Sequence, residues 1–192
     1  REATGSLIVT GVVGSGKSAL LARAVTLTDP KFLADPRYAE AVAAITRTAA
    51  ETIPPPGSVR AAVLARNQSP TSILRALAQA VHAELSPSVP GRDENGELRQ
   101  AIAAAMASRP VTFVIDGLDE ATQPTHVVWE VLGPLAQLTD SKGVPLIRFA
   151  VGLRSSGPDT TQGTLLGLVT SVLPNVRVVR TDRAPEADIE AY

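Results

Sequence analysis

Short apolar, β-branched runs alternate along the chain with alanine-rich stretches of helical period. Leu7, Ile8 and Val9 form the first run, which ends in glycines and reads as a strand. Residues 18–28 follow as a helix with Leu20, Leu21, Ala24, Val25 and Leu27 on one side, and Pro30 should end it. Residues 35–52 read as a second helical stretch, closed by the stiff surface turn Pro54-Pro55-Pro56-Gly57 rather than by a polyproline ligand. Residues 59–65 form a second strand. Ser69 then caps, and Pro70 opens, a helix running to about residue 85.

Residues 86–95 read as a loop and 96–108 as a helix. Residues 111–115 form a third strand, interrupted by no polar residue except Thr112 and therefore buried on both faces. Residues 126–138 are helical with a kink at Pro134. Strands at 146–153 and 176–179 follow, and residues 163–170 read as a short mobile connection without a role. Trp129 and Phe113 read as core and Arg148 as solvated. His82 and His126 have no partner at metal-ligand spacing and read as surface residues.

Strands alternating with helices predict an α/β domain with a mostly parallel, five-stranded sheet between helical layers. The chain has 192 residues, 44% hydrophobic and 19% charged, which suits one folded domain with a single core. A net charge of -1 provides no general attraction for nucleic acid or an anionic membrane. No apolar run reaches the roughly 18 residues of a membrane span. The absence of cysteine excludes disulfides and thiolate metal sites, and fits a cytoplasmic protein. The chain begins at Arg1 and stops at Tyr192 inside what reads as a new helix, so it is expected to be a piece of a longer protein.

Chemistry enters with the segment Gly11-Val12-Val13-Gly14-Ser15-Gly16-Lys17-Ser18, which fits G-x-x-x-x-G-K-[ST] at every fixed position. The glycines let the backbone turn tightly, so that successive N–H groups point inward at phosphate oxygens. The helix that follows, carrying Ala19 in its first turn, adds its positive N-terminal end. Lys17 is placed to reach the β- and γ-phosphates, and the Ser18 hydroxyl to ligate magnesium. A glycine-rich turn of this form by accident is expected in on the order of a few per thousand shuffled sequences, before its strand and helix flanks are considered.

The third strand ends in a carboxylate, Asp116, at the sheet edge where open α/β folds bind ligands. Asp116 can hold magnesium there, directly or through water. Gly117-Leu118-Asp119-Glu120 adds two more acids, one of which would orient and deprotonate an attacking water. Residue spacing leaves open which one. Acids are also favoured at a helix start by the dipole alone.

The run Asp116-Gly117-Leu118-Asp119-Glu120 resembles the extended Walker B motif of the NACHT-like signal-transduction ATPases, the STAND class. There a small residue follows the magnesium aspartate and another acid lies three positions on, as Gly117 and Asp119 do here. The resemblance implies a three-layer P-loop NTPase core over residues 1–183 with strand order 2-3-4-1-5. Residues 184–192 would then begin a helical lid. It also implies a polar sensor ending the fourth strand, at Arg154, in contact with the γ-phosphate. ATP or ADP with Mg2+ would be the cofactors. Self-association, or effector and sensor domains elsewhere in the full-length protein, would be the partners.

The function implied is an ATP-driven switch, with hydrolysis resetting a nucleotide-held state. A holding module without turnover and an oligomeric AAA+ ATPase are the alternatives. Asp-x-x-Asp-Glu argues against the AAA+ class, where glutamate usually follows the magnesium aspartate directly. No Asn-Lys-x-Asp guanine signature supports a GTPase, and no arginine-rich lid supports a small-molecule kinase.

Overall fold

The computed structural model describes residues 5–49, 54–84, 93–106, 110–154 and 164–183. The chain opens with β1 (Leu7–Gly11) and passes through the phosphate loop into α1 (Lys17–Thr28). α1 ends where Pro30 was expected to end it, yet the proline also opens a new helix, α2 (Pro30–Ala34), as its first residue. A 3₁₀ turn, Pro36–Tyr38, leads to α3 (Ala39–Ala49). Next come β2 (Val59–Leu64), α4 (Pro70–Ala80) and α5 (Glu94–Ala105). β3 (Val111–Asp116) is followed by α6 (Pro124–Val127), a π-helical turn, Val128–Leu132, and α7 (Gly133–Ala136). β4 (Ile147–Arg154), α8 (Leu165–Val172) and β5 (Arg177–Arg180) complete the fold.

The five strands form one sheet in the order β2-β3-β4-β1-β5, with every neighbouring pair parallel. The expected order is therefore the observed one. Parallel neighbours require a crossover, and the helices supply it on both faces. Val9, Val114 and Ala150 pack against Leu21 of α1 on one face. Ile8, Phe113, Phe149 and Val151 pack on the other with Leu77 of α4, Ile102 of α5, Leu135 of α7 and Val169 of α8. Phe113 meets Phe149 edge-on at 6.0 Å between ring centres, a favoured aromatic geometry.

Three expectations need correction. Trp129 is 57% exposed rather than core. The buried stripe of its helix runs through Val127, Val128, Val131, Leu132, Leu135 and Ala136, and Trp129 lies off that stripe. Residues 164–172 are not a loop. Thr164 caps α8 by accepting the Gly167 N–H at 3.2 Å, and Leu166 and Val169 bury its inner face. Arg148 is half-buried, and its Nε is enclosed without a hydrogen-bond partner among the described residues, because β4 runs between β3 and β1 rather than along an edge. The kink expected at Pro134 takes the form of the π turn just before it, a common way to absorb a disturbed helical ladder. The loop expected over residues 86–95 and the lid expected over 184–192 fall largely or wholly outside the described residues.

Burial sets the size of these effects. Phe149→Ala should cost about 3–5 kcal/mol in denaturant unfolding through the cavity it leaves, whereas Trp129→Ala should cost under about 1 kcal/mol. Equal losses for the two would contradict the packing described.

Candidate functional site

Gly14 and Gly16 both adopt left-handed backbone, with φ of 80° and 85°, which lets the loop reverse within a few residues. Gly11 is required for a different reason. A methyl group there would overlap the hydroxyls of Ser15 and Thr181, so the close approach of two side chains demands glycine. Gly16 is the residue before α1 and provides no side-chain cap, and the first turn of α1 holds no acidic residue. The N–H groups of Lys17, Ser18 and Ala19 therefore lack the intrahelical acceptors available further along, and the positive end of the helix is left uncompensated. Val12 and Val13 are exposed, so the loop presents backbone rather than side-chain chemistry at its tip.

Three donors converge on one atom. The Val12 carbonyl accepts the Ser15 N–H at 3.3 Å, the Ser15 hydroxyl at 2.8 Å and the Lys17 ammonium at 2.6 Å. Lys17 also donates to the Gly11 carbonyl at 3.0 Å. A concentration of positive donors at a helix N-terminus is a site for a negatively charged ligand.

Asp116 ends β3 at the same edge of the sheet, beside Leu64 of β2. Its carboxylate lies over Gly152 of β4 and near Leu21 of α1, in space that a Cβ at residue 152 would fill. Leu21 stands three residues after Ser18, so the Asp116 carboxylate and the Ser18 hydroxyl share the α1 side of the sheet. No side-chain hydrogen bond or ion pair engages Asp116 among the described residues. A half-buried carboxylate without a side-chain partner among the described residues, on the same side of the sheet as a hydroxyl, fits the sparse protein share of a magnesium shell, the rest coming from phosphate and water. No group of three or more His, Asp or Glu residues that could hold a metal occurs among the described residues, which disfavours an all-protein metal cage.

After Asp116, Gly117 turns the chain with φ of 68° into the 3₁₀ turn Leu118–Glu120. Buried Leu118 anchors that turn and leaves Asp119 and Glu120 facing the end of β4. Arg154, which is in register with Gly11 of the phosphate loop, grips both acids. Its N–H donates to Asp119 Oδ1 at 3.0 Å and its Nε lies 3.3 Å from Oδ2. Its Nη2 donates to Glu120 Oε1. Arg66, just after β2, reaches Glu120 Oε2 at 3.3 Å. These pairs are partly exposed, so they order the side chains more than they stabilise the fold.

The structure thus brings the phosphate loop, Asp116, Asp119, Glu120 and Arg154 to one edge. It adds Arg66 and Thr181, for which the spacing of residues held no motif. The histidines stand apart, with His126 Nδ1 pairing Glu130 at 3.2 Å on the surface. Because Gly152 makes room for Asp116, Gly152→Ala should displace the carboxylate. Magnesium-dependent nucleotide binding, followed by calorimetry, should fall at least about tenfold, while binding without magnesium changes little.

A family model described as an AAA domain matches residues 1–152. No curated protein matches the sequence. Among solved structures, the chain is similar to the Aeropyrum pernix ORC1 protein in complex with DNA, at 17% identity and a TM-score of 0.51. That alignment covers 97% of this chain and 42% of the other. The Drosophila ORC bound to GC-rich DNA and Cdc6 aligns at 12% identity and a TM-score of 0.46, over 93% and 50% of the two chains. The chain therefore spans less than half the length of the Aeropyrum protein, and at such identity the likeness is one of fold. The Asp-x-x-Asp-Glu run, read above as an argument against the AAA class, does not exclude it. With a phosphate-loop motif, an all-parallel sheet of order 2-3-4-1-5 and a family match over most of its length, the chain belongs to the AAA domain family and has a three-layer P-loop NTPase fold.

Proposed function

We propose that this chain is an ATP-binding, slowly ATP-hydrolysing switch domain of a larger signalling or defence protein, of the NACHT-like kind that its Asp-Gly-Leu-Asp-Glu run resembles. The observation that carries the reading is the meeting of Lys17, the uncapped start of α1 and the Asp116 carboxylate at one sheet edge. In this reading Lys17 leaves the Val12 carbonyl for β- and γ-phosphate oxygens, and the N–H groups of the loop and of residues 17–19 bind the remaining oxygens. Ser18 and Asp116 would hold magnesium, which would neutralise charge developing on the phosphates. Asp119 or Glu120 accepts the proton of the attacking water, and Arg154 moves toward the γ-phosphate.

In this reading Arg154 exchanges part of its grip on the acids for the phosphate. Its present grip on Asp119 and Glu120 supports slow turnover, since the guanidinium occupies the carboxylate oxygens that an attacking water would have to meet. The same pairing gives the nucleotide-holding alternative its support. Oligomeric assembly remains the AAA-type reading, in which a neighbouring copy completes the site. The net charge of -1 gives no general attraction for DNA, the ligand of the Aeropyrum relative.

Lys17→Ala should abolish the nucleotide-dependent rise in melting temperature, which corresponds to about 2.7 kcal/mol at a ligand concentration one hundred times its Kd. A full ATP-dependent shift in that variant would place the nucleotide elsewhere. Glu120→Gln and Asp119→Asn should keep MgATP binding, and at least one should reduce phosphate release about 100-fold or more. Wild-type release from both would remove the water-activating role and leave the holding module.

A further inference from the structure

Thr181 opens the 3₁₀ turn Thr181–Arg183, immediately after β5. Its hydroxyl lies 2.6 Å from the hydroxyl of Ser15 in the phosphate loop and 3.3 Å from the Thr10 carbonyl at the end of β1. Ser15 in turn donates to the Val12 carbonyl at 2.8 Å. Each hydroxyl has one proton to give. With the Ser15 proton on Val12, the short Thr181–Ser15 contact takes its proton from Thr181, and the longer contact to Thr10 is its weaker competitor. The result is a directed relay, from Thr181 through Ser15 to the Val12 carbonyl. That carbonyl is also where Lys17 donates, at 2.6 Å.

Two further features make the relay specific. Both hydroxyls crowd Gly11, where any side chain would collide with them. The Thr10–Arg180 pairing of β1 with β5 also sets the register that delivers residue 181 to the loop. Every atom named is part of the loop or its immediate strand neighbours, yet Thr181 belongs to no phosphate-binding motif. We propose that Thr181 is a positioning residue for the phosphate loop. Its hydroxyl orients Ser15 and thereby holds the Val12 carbonyl and the loop amides in the arrangement from which phosphate is taken. Affinity for nucleotide consequently depends on the placement of the turn that follows β5, so any movement of that turn is transmitted to the phosphates. This inference rests on the phosphate-binding reading above.

The test is calorimetric titration of the chain with MgATP. Thr181→Val removes the hydroxyl at nearly constant shape and should raise Kd about three- to tenfold, the range for one neutral hydrogen bond. Thr181→Ser should restore wild-type affinity, which a loss of packing alone would not. Ser15→Ala, in a partly exposed loop that should fold without it, should weaken binding to the same extent. The double variant Ser15→Ala/Thr181→Val should be no weaker than Ser15→Ala, because one relay can be broken only once. Wild-type affinity in Thr181→Val or Ser15→Ala, with Lys17→Ala still binding poorly, would overturn the relay and leave the phosphate site standing. Independent, multiplying losses in the double variant would overturn it equally. Wild-type affinity in Lys17→Ala would instead overturn the phosphate site and the relay with it.

Discussion

The hydrogen-bonded register of β1 is the constraint on which the rest of the site depends. On one side it pairs with β4, setting Gly11 against Arg154; on the other it pairs with β5, setting Thr10 against Arg180. Ile8 and Val9 are fully buried on opposite faces, so a slip of one residue would exchange the two cores and cannot occur without unfolding. Because all five strands run the same way, their carboxyl ends lie together, and the phosphate loop, Asp116, Arg154 and Thr181 are all delivered to one edge. The chemistry comes from loops, but the sheet decides which loops meet.

At that edge, two electrostatic problems are solved separately. The ammonium of Lys17 is directed at backbone carbonyls of the loop itself, beside the open N-terminal end of α1. The acids Asp119 and Glu120 are matched by arginines from β4 and from the end of β2. Asp116 alone lacks such a match among the described residues and sits in space kept open by Gly152. A phosphate would compete with the Val12 carbonyl for the loop donors, and a cation would displace no side-chain partner of Asp116 among the described residues. This asymmetry sets Asp116 apart from Asp119 and Glu120, which the arginines hold.

Much of this arrangement could be read directly from the order of residues. The loop motif, its flanking strand and helix, and the acidic end of β3 are contiguous in the chain, and their spacing follows from local backbone chemistry. The same holds for the cap at Ser69, whose side chain accepts the N–H three residues on. α8 was legible as well, since Leu165, Leu166, Leu168, Val169 and Val172 repeat at helical spacing behind Thr164, although residues 163–170 read as a connection. Trp129 misled because aromatic bulk suggests core, while the neighbouring valines and leucines fill the buried stripe without it.

What sequence alone determined is therefore the phosphate-loop motif and the acidic run that ends β3, because each is a local pattern in a contiguous stretch of the chain. Only the tertiary structure decided that Arg154 holds Asp119 and Glu120, that Arg66 joins them, and that Thr181 touches Ser15 at a sequence separation of 166. The reason is physical. Contacts between distant segments depend on strand order and register, which are set by burial across the whole sheet and leave no pattern in any one stretch of the chain.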